Sequence, residues 1–212
     1  AHAVEASKKA QDFGADGLLA VTPYYNKCTQ NGIYEYYKAI SDAVSIPIIC
    51  YNVPPRTGVN ILPATMERLA ELKNIAGIKE ACGNMEQICE TARRIRGKCD
   101  LYSGDDNLNL PILAIGGAGL ISVASNIIPK ETKMLYNFVQ AGDLRSANEI
   151  QDKMLPVIDA MFMEVNPIPA KAAAEMIGLG GGVPRAPLTE LEPQHKEEMR
   201  KILSAFGLKV IA

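Results

Sequence analysis

The sequence is poor in the residues that most metal and acyl-transfer sites are built from. It has no tryptophan, four phenylalanines and only two histidines, His2 and His195, near opposite ends of the chain. A histidine zinc site or a Ser-His-Asp triad would have to be built from those two, which argues against both. Charge of one sign is also scarce: 22 basic against 24 acidic side chains leave a net charge of −2. That balance gives no electrostatic ground for binding nucleic acid or an anionic membrane. The five cysteines, at 28, 50, 82, 89 and 99, are odd in number and contain no CxxC pair. A disulfide framework or zinc ribbon is therefore excluded, and the expected setting is a reducing cytoplasm. Residues 1–13 carry Glu5, Lys8, Lys9 and Asp12 and do not read as a signal peptide. The one long uncharged stretch, Asn107 to Pro129, contains two prolines, three glycines and three asparagines, so a buried helix followed by a buried strand explains it better than a membrane span.

What is present is alternation. Residues 2–13 read as a helix with Ala3, Ala6, Ala10 and Phe13 on one face and Gly14 as its cap. Short apolar runs follow at 17–22, 46–51, 75–79, 100–103 and 119–124. Helical patterns separate them at 29–44, 63–72, 85–96 and 108–115. The runs lack polar alternation, so both faces are expected to be buried, with parallel pairing and helical crossovers. After residue 129 the pattern is helical throughout: 130–141, 143–162, 167–177 and 192–206, with the glycine-rich 178–184 segment as a connector. Gly116-Gly-Ala-Gly119 precedes a strand and lacks the order of a dinucleotide fingerprint, so it reads as a tight helix-to-strand turn. The boundaries are 1–128 for a partial α/β barrel and 129–212 for a helical domain. Five βα units do not close an eight-stranded barrel: either about three precede residue 1, or the sheet is open.

In such a fold chemistry sits at the C-terminal strand ends. Those ends carry Tyr24, Tyr25, Tyr51, Arg56, Lys79, Glu80, Asp105 and Asp106. Lys79 follows the apolar run Ile75-Ala-Gly-Ile78; burial disfavours its ammonium and would make it a Schiff-base nucleophile. The alternative is a barrel-mouth lysine paired with Glu80 or Asp105. Tyr51, ending the neighbouring strand, is either a proton relay to Lys79 or an amphipathic packing residue. Arg56, in a loop stiffened by two prolines, suits bidentate carboxylate binding or is a solvated loop arginine. Asp105-Asp106 reads as a turn or helix cap in preference to a Mg2+ site.

Six segments together are specific: Val21-Thr-Pro-Tyr-Tyr-Asn26, Tyr51-Asn-Val-Pro-Pro-Arg-Thr-Gly58, Gly77-Ile-Lys-Glu80, Tyr102-Ser-Gly-Asp105, Gly119-Leu-Ile-Ser-Val123 and Asn166-Pro-Ile-Pro-Ala-Lys171. Their order and spacing resemble the dihydrodipicolinate synthase family, over the whole chain. The resemblance implies a (β/α)8 TIM barrel with a C-terminal helical domain. It implies a lyase of the lysine and diaminopimelate branch that condenses pyruvate with L-aspartate 4-semialdehyde. Lys79 would form the Schiff base with pyruvate, with no other cofactor and no metal. Tyr51 would be the proton relay, and Tyr25 would complete it from the adjacent subunit of a dimer. Arg56 would bind the semialdehyde's carboxylate, and the backbone at Gly104 and Ile121 would line the pocket. The implied assembly is a cytoplasmic homotetramer, a dimer of dimers, with no nucleic acid or membrane partner. Tyr24 and His2 fall where lysine-inhibited members have their effector site; a glutamate is usual at the place of His2, and an imidazole suits a lysine amine less well than a carboxylate does. Related pyruvate aldolases acting on sugar acids share the lysine and tyrosine but usually lack the arginine. The resemblance also implies about three more βα units ahead of residue 1, whose absence would make an inactive truncated paralogue the non-enzymatic alternative.

Overall fold

The computed structural model describes residues 1–211 and forms two compact units, Ala1–Ile121 and a second from Ser122 onward. The first opens with α1 (His2–Asp12) and then alternates β1 (Leu18–Val21), α2 (Gln30–Ser41), β2 (Ile48–Asn52), α3 (Pro54–Thr57), α4 (Pro63–Leu69), β3 (Ile75–Glu80), α5 (Met85–Ile95), β4 (Asp100–Ser103), α6 (Asn109–Ala114) and β5 (Gly119–Leu120). The five strands form one parallel sheet in the order β1-β2-β3-β4-β5. Strictly sequential order with helical crossovers is the topology of a (β/α)8 barrel, of which this chain carries five consecutive strands.

The local causes are readable. Thr29 caps α2 by accepting from the Gly32 amide, and Asn84 caps α5 by accepting from Gln87. Pro63 opens α4, where a missing amide hydrogen costs nothing. Helix α2 buries Ile33, Tyr37 and Ile40, α4 buries Met66 and Leu69, and α5 buries Ile88, Ala92 and Ile95. These pack with Ile48, Cys50, Ile78 and Leu101 of the strands as one core. Each such side chain removed from water contributes about 1.5–3 kcal/mol.

Burial along the strands of this five-stranded portion alternates. Ile48, Cys50 and Asn52 on β2, Ile78 and Glu80 on β3, and Leu101 and Ser103 on β4 are buried. The intervening Ile49, Tyr51, Lys79 and Tyr102 are only partly buried, and Leu19 on β1 is 48% exposed. One face therefore lies under the helices and the other carries the second set of side chains.

Three further details differ from the sequence reading. The last strand is two residues long; residues 124–126 form a 3-10 turn, because Val123 and its successors turn out of the ladder. The 108–115 helix is a 3-10 turn, Asp106–Leu108, followed by α6. The short helix α3 had no periodic signal in four residues; Pro54 starts it and Gly58, in the left-handed region at φ +72°, ends it.

The second unit is helical: α7 (Pro129–Gln140), α8 (Leu144–Ala160), α9 (Ile168–Met176) and α10 (Pro193–Phe206). Asp143 caps α8 by accepting from Ser146. His195 Nδ1 lies 2.6 Å from Glu164 Oε1, and Glu164 also accepts from the Glu192 amide, 3.0 Å. That imidazole holds the Glu164 carboxyl below the usual carboxylate range. Among the described residues no helix is long and apolar enough to cross a membrane.

Candidate active site

The alternation of the strands puts two different rows of side chains at their C-terminal ends. On the partly exposed face, register sets Tyr51 beside Lys79 and Lys79 beside Tyr102. The Lys79 Nζ lies 4.2 Å from the centre of the Tyr51 ring. Desolvation holds the Lys79 amine below its ordinary pKa; the buried Asp106 opposes that shift, and the positive charge of Arg56 adds to it. Burial raises the Tyr51 phenol above its ordinary value, against the pull of Arg56. An amine with a lowered pKa beside a phenol that stays protonated is a nucleophile beside an acid.

Arg56 stands on α3, directly after β2, and is exposed. Its positive charge acts on both Lys79 and Tyr51. Gly104 lies against the Lys79 stem. A Cβ built there would stand 2.7 Å from Lys79 Cε and 2.8 Å from Lys79 Cγ, so the lysine stem occupies the space that a side chain would need. The Gly104 amide donates to the Glu80 carbonyl at 2.8 Å, and the Ile121 amide donates to the Ser103 carbonyl at 2.8 Å. These bonds carry the ladder past the ends of β4 and β5.

Lys79, Tyr51, Arg56 and Gly104 are thus brought together. The alternative pairing of Lys79 with Glu80 or Asp105 is corrected: Lys79 forms no ion pair with either among the described residues. Glu80 points to the opposite, helix-covered face, because successive strand residues alternate. Asp105 instead caps the 3-10 turn, accepting from the Asn107 amide at 3.1 Å, as the turn reading expected. Asp106, passed over as part of that cap, is the buried acid that acts on Lys79. No spacing in the sequence marks it; only the fold of the 105–109 turn does.

The remaining residues lie outside this cluster. Tyr25 is 90% exposed and holds φ at +68°, a left-handed conformation uncommon for any residue but glycine and a mark of local strain. Tyr24 and His2 are also exposed, and no hydrogen bond joins them among the described residues. A cavity of about 340 Å3 in the helical unit, bordered by Ile168, Lys171, Met176, Leu191 and Arg200, contains none of the residues above. Among the described residues no group of three or more His, Cys, Asp or Glu is placed to hold a metal ion.

A profile of the dihydrodipicolinate synthetase family matches residues 1–206. The chain belongs to this family. The 4-hydroxy-tetrahydrodipicolinate synthase of Caldicellulosiruptor bescii is 53% identical over 209 residues, 99% of this chain and 70% of that protein. The crystal structure of dihydrodipicolinate synthase from Aquifex aeolicus superposes with a TM-score of 0.96 at 43% identity, over 99% of this chain and 72% of that one. The chloride-inhibited enzyme from Acinetobacter baumannii, solved with pyruvate, superposes at 0.94 and 43% identity, over 97% and 71%. Membership in the dihydrodipicolinate synthetase family makes the parallel sheet part of a TIM barrel with a C-terminal helical domain, and makes the protein a lyase of lysine and diaminopimelate biosynthesis.

Proposed function

We propose that the protein is a 4-hydroxy-tetrahydrodipicolinate synthase that condenses pyruvate with L-aspartate 4-semialdehyde through a Schiff base on Lys79. The observation that carries this reading is the half-buried Lys79 amine, held below its ordinary pKa and lying against the Tyr51 ring. The neutral amine adds to the pyruvate C2 carbonyl. Tyr51 gives a proton to the resulting carbinolamine oxygen, which leaves as water to form the imine. Loss of a C3 proton yields the enamine, whose C3 attacks the aldehyde carbon of the semialdehyde; the new alkoxide takes a proton. The substrate's own amine then attacks the imine carbon, closing the ring and returning the Lys79 amine. The amine itself activates the carbonyl, so the cycle is written without a further cofactor.

Arg56 binds the semialdehyde carboxylate, a pairing that its planar guanidinium favours. The aldehyde half of a sugar-acid substrate carries no carboxylate for Arg56 to pair with, which favours the synthase over the sugar-acid aldolases. Tyr25 serves the site of a second copy: an exposed, strained tyrosine on a strand-end loop suits a residue that acts across an interface, within a cytoplasmic homotetramer.

Borohydride trapping with pyruvate, followed by peptide mass analysis, tests the reading. The expected result is a reduced pyruvate adduct on Lys79 that is lost in Lys79→Ala. An adduct on another lysine overturns the mechanism.

A further inference from the structure

The helix-covered row at the same strand ends holds a carboxylate that the reaction above does not use. Glu80 is fully buried and has no cationic partner among the described ion pairs. An isolated buried carboxylate is costly, and an apolar side chain of similar size would fill the space at no such cost. Its partners are hydrogen-bond donors, the Cys82 side chain among them. Asn52 Nδ2 lies 3.0 and 3.1 Å from its two oxygens, and the Cys82 amide donates to Oε1 at 2.9 Å.

We propose that Glu80 is a positioning residue whose carboxylate sets the orientation of the Asn52 amide, and through it the placement of the loop that carries Arg56. This rests on the roles given above to Lys79 and Arg56. Both Glu80 oxygens face N–H donors and act as acceptors, so Asn52 turns its nitrogen toward them. Its oxygen is then left to accept from the Ile61 amide, at 2.9 Å, and its second N–H reaches Asn60 Oδ1, also at 2.9 Å. Asn52 thereby ties together the two ends of the 52–61 loop. Asn60 and Gln87 lock the outer end by a reciprocal amide pair, 2.8 and 3.0 Å. Inside the loop, the Thr57 hydroxyl lies 3.2 Å from the Val53 carbonyl and 3.0 Å from that of Val59. Arg56 thus rides on a closed, hydrogen-bonded base whose register against β3 is set by one side chain. Because Glu80 follows Lys79 in the chain, the same strand that presents the nucleophile also holds the anchor for the carboxylate-binding arginine. Burial raises the Glu80 carboxyl above its ordinary value, in keeping with a group whose bonds only partly offset desolvation.

The test is Glu80→Gln, which keeps the volume but sets an NH2 group against two N–H donors. Hydrogen exchange across 53–61 is expected to rise about tenfold. The KM for the semialdehyde should rise about tenfold, with the rate of borohydride-trapped pyruvate adduct changed less than about twofold. In an Arg56→Ala background the same substitution should add no further rise in KM, because the effect runs through Arg56. Unchanged loop exchange, or KM effects that multiply independently, overturns the proposal. If Glu80→Gln does not fold, Gln87→Ala removes only the outer lock and should raise loop exchange and KM in the same direction by about threefold; no change in either also overturns it. The loop-exchange readout does not depend on catalysis. Lack of a pyruvate adduct in the parent protein would therefore count against Lys79 alone.

Discussion

The two faces of the sheet differ most where they lie closest together. Lys79 and Glu80 are consecutive, as are Tyr51 and Asn52, yet alternate members of these pairs live in opposite environments. Glu80 and Asn52 are fully buried and hydrogen-bonded. Lys79 and Tyr51 are half-buried and touch each other mainly through a ring face. Partial desolvation lowers the pKa of the amine; burial among several hydrogen-bond donors holds the carboxylate in place. A strand is an economical place for this arrangement, because its two-residue period separates reactive and supporting groups by one peptide.

The hardest way to break the reactive face is to fill it. Gly104→Val sets side-chain carbon where the Lys79 stem runs. The pyruvate-adduct rate is expected to fall by about 100-fold, since a displacement near 1 Å can cost that much. The thermal midpoint should move only a few degrees, because the buried core of the other face is untouched. An unchanged adduct rate would show that the lysine has another path past residue 104.

A smaller effect sharpens the electrostatics of the same face. Asp106 holds the Lys79 pKa up, while desolvation and Arg56 hold it down. Asp106→Asn removes the upward influence, so the Lys79 pKa falls further. The rate of borohydride trapping against pH follows the neutral amine and should therefore reach half its plateau at a lower pH than in the parent. A profile displaced to higher pH would contradict the assignment of Asp106.

The smallest effect belongs to the helical unit, which carries none of the residues assigned to the reaction. Glu164 has its pKa depressed by His195. A carboxyl with a depressed folded-state pKa contributes stability above its unfolded value, and that contribution is lost as pH falls through the folded value. Glu164→Gln should lower the thermal midpoint slightly at neutral pH and not at all in strong acid. The pair is partly exposed, so the difference is modest. Equal losses at both pH values would assign Glu164 a packing role instead.

The helices were legible because their faces repeat at helical spacing: Ile33, Tyr37 and Ile40, or Ile88, Ala92 and Ile95. The short strands were legible as runs, with ends within a few residues of those observed, except the last, where Ser122 and Val123 continue an apolar pattern after the ladder has stopped. Helix α3 was not legible, since four residues carry no period. Lys79 stood out as a lysine closing an apolar run, but Asp106 and Glu80 did not, because an acid in a turn or beside a lysine reads as solvated until its burial is known.

By itself the sequence determined the order of strands and helices, the family and the residues that stand at the strand ends, because these follow from local periodicity and from motifs read in line. Only the tertiary structure decided which neighbour of Lys79 is an acid, why residue 104 has no side chain and which amide holds the Arg56 loop. Those contacts join residues about 25 or more positions apart, and their energies depend on how much water each group has lost, a quantity that local sequence does not carry.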